Sequence, residues 1–312
     1  MTQSVSPPQV QEQLRDRFRG VLVGLAVGDA LGAPLEFQPA RKPDHYVTEM
    51  IGGGWQKLPP GQWTDDTQMA LCVVESLLAR RVFDPDDIAR RFVVWMQSGP
   101  PDIGLHTRRV LDAISRGEPW EQASKEVQAL NPDNASNGSL MRCAPLSLFL
   151  YRRPDYLATL APVLSRITHA HPDCEWTCVF VNVAIAWLVQ GKSKQEAVDL
   201  AYEACDNASQ ELKERIGRAM EPTSEVAPTG YVLDTLEVAL WSFLHAGSFE
   251  EALLTAVNRG ADADTVGAVT GALAGARYGL SQIPLRWLEV LRERDVLIDY
   301  ADRLLELALS FS

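Results

Sequence analysis

The chain has 312 residues, 46% of them hydrophobic, enough to bury one large core and to leave disorder only to the ends. A formal charge of -12 argues against general affinity for nucleic acid phosphates or anionic lipid. Five scattered cysteines, Cys72, Cys143, Cys174, Cys178 and Cys205, give no disulfide framework, so a reducing, cytoplasmic setting is expected.

Residues 1–13 are polar and contain prolines, without the basic and apolar regions of a signal peptide. They read as a disordered tail ahead of a single domain over 14–312. Glycine then recurs at every fourth position, Gly20, Gly24, Gly28 and Gly32, and the pattern returns at Gly267, Gly271 and Gly275. Each glycine costs a helix interior about 1 kcal/mol relative to alanine. Two bare helical stripes that cross in close contact would account for that cost and would draw Asp29 and Glu36 toward Asp262 and Asp264.

Pro39 to Gly61 is irregular and delivers the chain to Thr64-Asp65-Asp66-Thr67, after which Ala70, Val73, Val74, Leu77 and Leu78 recur at helical spacing. Asp84 followed by Pro85 starts another helix, and the Pro100–Gly104 stretch ends it. Asn131 to Arg142 is again irregular. Trp176 to Val189, apolar almost all round, predicts a buried helix, and the run is shorter than the ~20 residues a membrane span needs. Ser193 with Glu196 and Ser248 with Glu251 predict capping boxes, and Leu233, Asp234, Glu237 and Val238 a cap with a hydrophobic staple. No stretch alternates with period two, so one large, mainly α domain follows.

Thr64-Asp65-Asp66-Thr67 and Asp262-Ala263-Asp264-Thr265 are a matched pair, each placed just before a helix. Four carboxylates brought together in a core repel one another unless cations lie between them. Carboxylate and hydroxyl oxygens are hard ligands, suited to magnesium or manganese, and four negative charges match two divalent ions. His169, His171, Cys174 and Cys178 fit no familiar zinc spacing, and His45, His106 and His245 read as surface or loop residues. The glycine-rich segments match neither a dinucleotide fingerprint nor a phosphate loop.

Together these motifs resemble the ADP-ribosylglycohydrolase family, which includes dinitrogenase reductase-activating glycohydrolase. The resemblance runs from Gly20 to about Gly279 and rests on Gly28-Asp29-Ala30-Leu31-Gly32, Trp63 to Thr67, Asp102-Ile103-Gly104, Asn137 to Arg142, Thr168 to Pro172, Thr229 to Thr235, and Asn258 to Gly267. It implies an all-α fold, a single large orthogonal helical bundle, with two divalent cations, Mg2+ or Mn2+, at the base of an ADP-ribose cleft. By position, Thr64, Asp65, Asp66, Asp262, Asp264 and Thr265 would be metal ligands, Glu36 would lie beside the metals, and Asp102 near the scissile ribose. Asn137, Gly138, Ser139, Leu140, Met141, Arg142 and Tyr231, with Ile103 and Gly104, would line the diphosphate and nucleoside parts, and His171 would meet the distal ribose or phosphate. Glu36, Asp102 and Asp65 are the implied catalytic groups.

Two departures stand out: Gly260-Ala261 where members carry Gly-Gly, and Ser139-Leu140 where small residues usually follow Asn-Gly. The expected activity is hydrolysis of the bond between ADP-ribose and a protein or small-molecule acceptor, by a monomer. The alternatives are a silent ADP-ribose-binding or structural member, and a dimetal phosphoesterase.

Overall fold

The protein is described by a computed structural model that covers residues 7–223 and 225–311, with side chains from Gln9 onward. Its helices in chain order are α1 (Pro7–Gly32), α2 (Asp65–Arg80), α3 (Pro85–Gln97), α4 (Leu105–Ser115), α5 (Trp120–Leu130), α6 (Ala144–Phe149), α7 (Pro154–Arg166), α8 (Pro172–Val189), α9 (Lys194–Glu203), α10 (Gln210–Met220), α11 (Val232–His245), α12 (Phe249–Val257), α13 (Ala263–Tyr278), α14 (Leu285–Val290) and α15 (Arg294–Ser310). Among the described residues there is no strand, only isolated bridges pairing Gly53 with Leu58 and Ser136 with Tyr231. The fold is the all-α bundle that the sequence leads one to expect.

Its axis is the antiparallel pair α1 and α13. Gly20, Gly24 and Gly28 face Gly275, Gly271 and Gly267 in that order, so the two backbones touch with no side chain between them. A Cβ built on Gly28 would lie 1.9 Å from the Gly267 carbonyl oxygen, and one on Gly271 would lie 1.9 Å from that of Gly24. The stripe predicted from spacing alone therefore sets the closest helix contact of the fold and places the acid-bearing ends of α1 and α13 side by side. Gly217 in α10 supplies the contrast, since a Cβ there meets nothing within 4 Å. Gly217→Ala is expected to stabilise the protein by about 0.5–1 kcal/mol in urea unfolding, because only the helix-propensity and chain-entropy terms remain.

α8 and the segment Gln9–Leu35 are long and apolar enough to cross a bilayer, yet they bury 78% and 94% of their apolar windows inside the protein. They are core helices. The start of α1 corrects the expected tail: residues 7–13 are helical and, from Gln9, solvent-exposed, while residues 1–6 lie outside the described residues.

Most caps form as expected. Asp84 accepts from the Asp87 amide at 3.0 Å, and Ser193 with Glu196 closes a reciprocal box. Ser248 accepts from the Glu251 amide, but Glu251 reaches back to the Gly247 amide at 2.6 Å rather than to Ser248. Asp234 and Glu237 do not cap α11. Arg215, on α10, pairs with Asp234 at 2.6 Å and with the buried Glu237 at 3.1 Å, and Arg218 pairs with Glu237. These charges tie α10 to α11, a long-range use that local spacing does not reveal.

Candidate active site

Asp29 organises the first acidic cluster. Fully buried near the end of α1, its carboxylate accepts from the amides of Thr64 and Thr67 and from both hydroxyls, the shortest bond being 2.6 Å from Thr67 Oγ1. The loop entering α2 is thereby fixed to α1. Because the Thr64 hydroxyl donates its proton to Asp29, its lone pairs are left for another partner. Burial raises Asp29 to about 6 against these hydrogen bonds.

Thr64 is the N-cap of α2, and Asp262 holds the same place on α13. Asp264 Oδ1 accepts from the Thr265 amide at 2.9 Å, and the Thr64 hydroxyl lies 3.4 Å from Asp66 Oδ2. Oxygens of Glu36, Asp262 and Asp264 lie within 4.8 Å of one another. Burial, with the neighbouring carboxylates adding to it, raises Asp65, Asp66 and Asp264 well above the ordinary range for aspartate. Glu36 rises to about 7, mainly through burial and partly opposed by a short hydrogen bond from Trp55 Nε1. Asp66 Oδ1 is buried with no partner.

The cluster closes one end of a cleft of about 540 Å³. Asp65, Asp66, Asp262, Asp264, Thr265, Glu36 and Asp102 all line it, and among the described residues no lysine or arginine does. Such an arrangement suits a cation: the oxygens are hard, close-set, partly unsatisfied and without a basic counter-ion. Thr64 sits just behind this wall.

Two strained backbones hold the cluster's edge. Phe37 and Ala261, with φ of 60° and 51°, lie in two segments joined across the gap: Phe37 N donates to Ala261 O at 2.7 Å, and Ala261 N to Gln38 O at 2.9 Å. Position 261, where glycine is the expected residue, thus needs a left-handed conformation that alanine adopts at a cost.

The opposite wall is the loop before α6. Asn137 Nδ2 donates to Asp262 Oδ2 at 2.5 Å and to Thr235 Oγ1 at 2.8 Å. The Asn137 amide donates to Gly230 O and the Val232 amide to Ala135 O, so Tyr231 contributes its backbone to this wall while its ring is not among the lining groups. Asn137, Gly138 and Met141 line the cleft, as does Gly104, but Ser139, Leu140 and Arg142 are buried behind it and Ile103 packs against the core.

Arg142 is the main correction. It is fully buried, donating to Gly138 O at 2.8 Å and Thr168 Oγ1 at 2.6 Å, and it lies 4.5 Å over the Phe92 ring. It braces the wall rather than meeting substrate anions, and burial lowers it to about 10. Arg142→Lys, which cannot bridge both partners, is expected to cost about 1–3 kcal/mol, read as a lower urea midpoint.

His171 likewise caps α8, accepting from the Asp173 amide at 3.2 Å, and stands outside the cleft lining. His169 takes the cleft position. The Thr168 hydroxyl receives Arg142 and donates to His169 Nδ1 at 2.7 Å, so His169 Nε2 donates to Ser136 Oγ at 3.0 Å. His106, read from sequence as a surface or loop residue, also lines the cleft. Its Nε2 donates to Thr168 O at 2.9 Å and its Nδ1 accepts from Asn134 at 2.7 Å. Burial lowers both histidines and keeps them neutral. No local motif marked His106, Asn134 or Ser136, because only the fold brings α4, the 134–138 loop and the 168–171 turn together. All five cysteines are free, with Cys174 and Cys178 in the core.

The model of the family described as ADP-ribosylglycohydrolase matches residues 10–310. The chain is 36% identical over 308 residues to ADP-ribosylarginine hydrolase Tri1 of Serratia proteamaculans, covering 94% of this chain and 80% of the relative. It is 34% identical over 282 residues to the ADP-ribosyl-[dinitrogen reductase] glycohydrolase of Rhodospirillum rubrum, covering 89% and 91%. A solved structure titled ADP-ribosylglycohydrolase-related protein complex superposes with a TM-score of 0.83 at 39% identity, covering 95% of this chain and 99% of that one. With a site of this chemistry on a fold of this kind, the chain belongs to the ADP-ribosylglycohydrolase family and is an enzyme that hydrolyses ADP-ribosyl glycosidic bonds.

Proposed function

We propose that the protein is a metal-dependent hydrolase that frees ADP-ribose from a protein side chain or small-molecule acceptor, using two divalent cations, Mg2+ or Mn2+. The observation that carries this reading is the convergence of both acidic clusters on one cleft that, among the described residues, no lysine or arginine lines. Thr64, Asp65, Asp66, Asp262, Asp264 and Thr265 would hold the ions, with Glu36 beside them. When bound, the ions would supply the positive charge that offsets the clustered carboxylates, orients the ribose hydroxyls and acidifies water.

The remaining tasks belong to the chain. Asn137 fixes the Asp262 carboxylate, and Asp29 fixes the Thr64 loop, so the two clusters keep their spacing. Asp102, raised by burial, stands at the cluster's outer edge, where it would hold a proton for the departing group. The Ser136 hydroxyl, which accepts from His169 Nε2, keeps its own proton and would supply an uncharged polar contact for the diphosphate and nucleoside end, while His106 and His169, both of whose ring nitrogens are taken by the protein, brace that wall. The Serratia and Rhodospirillum relatives are named for ADP-ribosylarginine and for ADP-ribosylated dinitrogen reductase, which agrees with an acceptor bonded to the anomeric carbon.

Mass spectrometry of products from ADP-ribosylated arginine and serine substrates tests the reading. Intact ADP-ribose, formed with Mg2+ or Mn2+ and lost on chelation, is the expected result. Products containing AMP would identify a phosphoesterase, and ADP-ribose binding without any hydrolysis a silent member.

A further inference from the structure

The pairing of Phe37 and Gln38 with Ala261 continues to Arg41, whose amide donates to Asn258 O at 2.8 Å, and there a second cavity opens. It encloses about 300 Å³. None of the residues that line it lines the cleft. The buried Asn258 side chain fixes its wall, accepting from the Val47 amide at 2.7 Å and donating to the Val47 carbonyl at 3.1 Å. The space is thus formed by main-chain pairing before any ligand arrives.

Its charge is opposite to that of the cleft. Arg41 and Arg259 line it against a single acid, the exposed Glu225, and among the described residues no other charged side chain joins them. The Arg259 guanidinium donates to Val226 O at 2.9 Å and lies 4.7 Å over the Trp241 ring, which together hold it at the wall. Burial lowers the Arg259 pKa, so an anion beside it would favour the charged form. The Arg41 side chain is exposed and forms no hydrogen bond or ion pair among the described residues. The hydroxyls of Tyr46 and Thr255, both lining residues, likewise have no partner among them.

We propose that this cavity is a second binding site and that it takes a phosphate group, free or as a small monoester. A phosphate offers at least three strong acceptor oxygens, the complement of two guanidiniums and two hydroxyls, and arginine pairs with it as a fork. A carboxylate has two oxygens and one charge, too few for that set, and a cation would meet two arginines as like charges. The volume lies at the small end of the roughly 300–1,000 Å³ of ligand sites, which suits a small ester. The net charge of -12 opposes general phosphate affinity, so binding here would be a local exception. The assignment goes beyond the glycohydrolase reading and does not depend on it. A phosphate bridging Arg41 and Arg259 would tie together the two segments that carry Glu36 and Asp262 at their ends.

The test is calorimetry on the full-length protein in Mg2+, titrating inorganic phosphate, glycerol 3-phosphate and, as the control anion, acetate. Phosphate is expected to bind more tightly than acetate, and Arg41→Gln or Arg259→Gln to weaken it about tenfold, the scale of one hydrogen bond to a charged group. Because the Arg41 side chain is exposed and makes no contact that the fold needs, Arg41→Gln keeps the test open should Arg259→Gln fail to fold. Asp264→Asn separates the cavity from the acidic centre, and phosphate binding should survive it. Tighter binding of glycerol 3-phosphate identifies an ester as the source of the phosphate group, and equal or weaker binding identifies the free ion. No binding of either phosphate, equal binding of acetate, wild-type affinity in Arg41→Gln, or loss of binding in Asp264→Asn overturns the assignment.

Discussion

Asp264→Asn is expected to reduce ADP-ribose release by at least about 10³-fold, the scale of losing a principal electrostatic contributor to catalysis, while making the metal-free protein more stable. The asparagine oxygen still accepts from the Thr265 amide, so the start of α13 keeps its geometry. What disappears is one negative charge from a group in which Asp66, Asp262 and Glu36 already oppose its ionisation. A carboxyl whose folded pKa lies above its unfolded value holds its proton more tightly when folded. Stability then falls as pH rises above the unfolded value of about 4. With Asp29 at about 6 and Glu36 at about 7, the metal-free wild type is expected to lose stability between about pH 4 and 7, and the variant to lose less. Melting curves across that range, with and without Mg2+, read the effect. A variant with wild-type turnover, or one no more stable than wild type without metal, would count against a cation-dependent cluster.

Gly271→Ala should be strongly damaging, as should a methyl at Gly28 or Gly275, which face backbone at the same 1.9 Å. Its Cβ would stand 1.9 Å from Gly24 O, 2.6 Å from Gly24 C and 3.2 Å from Leu25 N, all backbone atoms that no side-chain rotation can move. Added core methylenes typically cost about 1–3 kcal/mol and sometimes more. With α1 and α13 forced apart, the cost should reach the top of that range, and Asp29 and Glu36 should separate from Asp264, so activity should fall with stability. Urea unfolding beside Gly217→Ala makes the comparison internal: the same substitution, opposite signs. Equal stability of Gly271→Ala and wild type would show that the stripe is not a tight contact.

The helix pairing was legible because glycine every fourth residue is a local pattern with one geometric consequence, and the acidic clusters because each occupies four consecutive residues. Caps such as Asp84 and Ser193 were legible for the same reason. What escaped depended on contacts distant in sequence. Arg142 follows the Asn137-Gly138 turn and looked free to meet anions until the Phe92 ring, Gly138 O and Thr168 were found around it. His169 and His171 are indistinguishable by spacing; which of them faces the cleft is decided by the Asp173 amide, which takes His171 as the cap of α8. His106 needed Asn134 and Thr168 for its role to show, and Trp55 needed Glu36. Charge identity alone misassigned Asp234 and Glu237, whose partners are the α10 arginines.

The central claim is that the two acidic clusters form one centre for two cations. Anomalous scattering from crystals of the full-length protein grown with Mn2+ measures this directly. Two manganese peaks are predicted among Thr64, Asp65, Asp66, Asp262, Asp264 and Thr265; a single peak, none, or peaks elsewhere on the surface would contradict it.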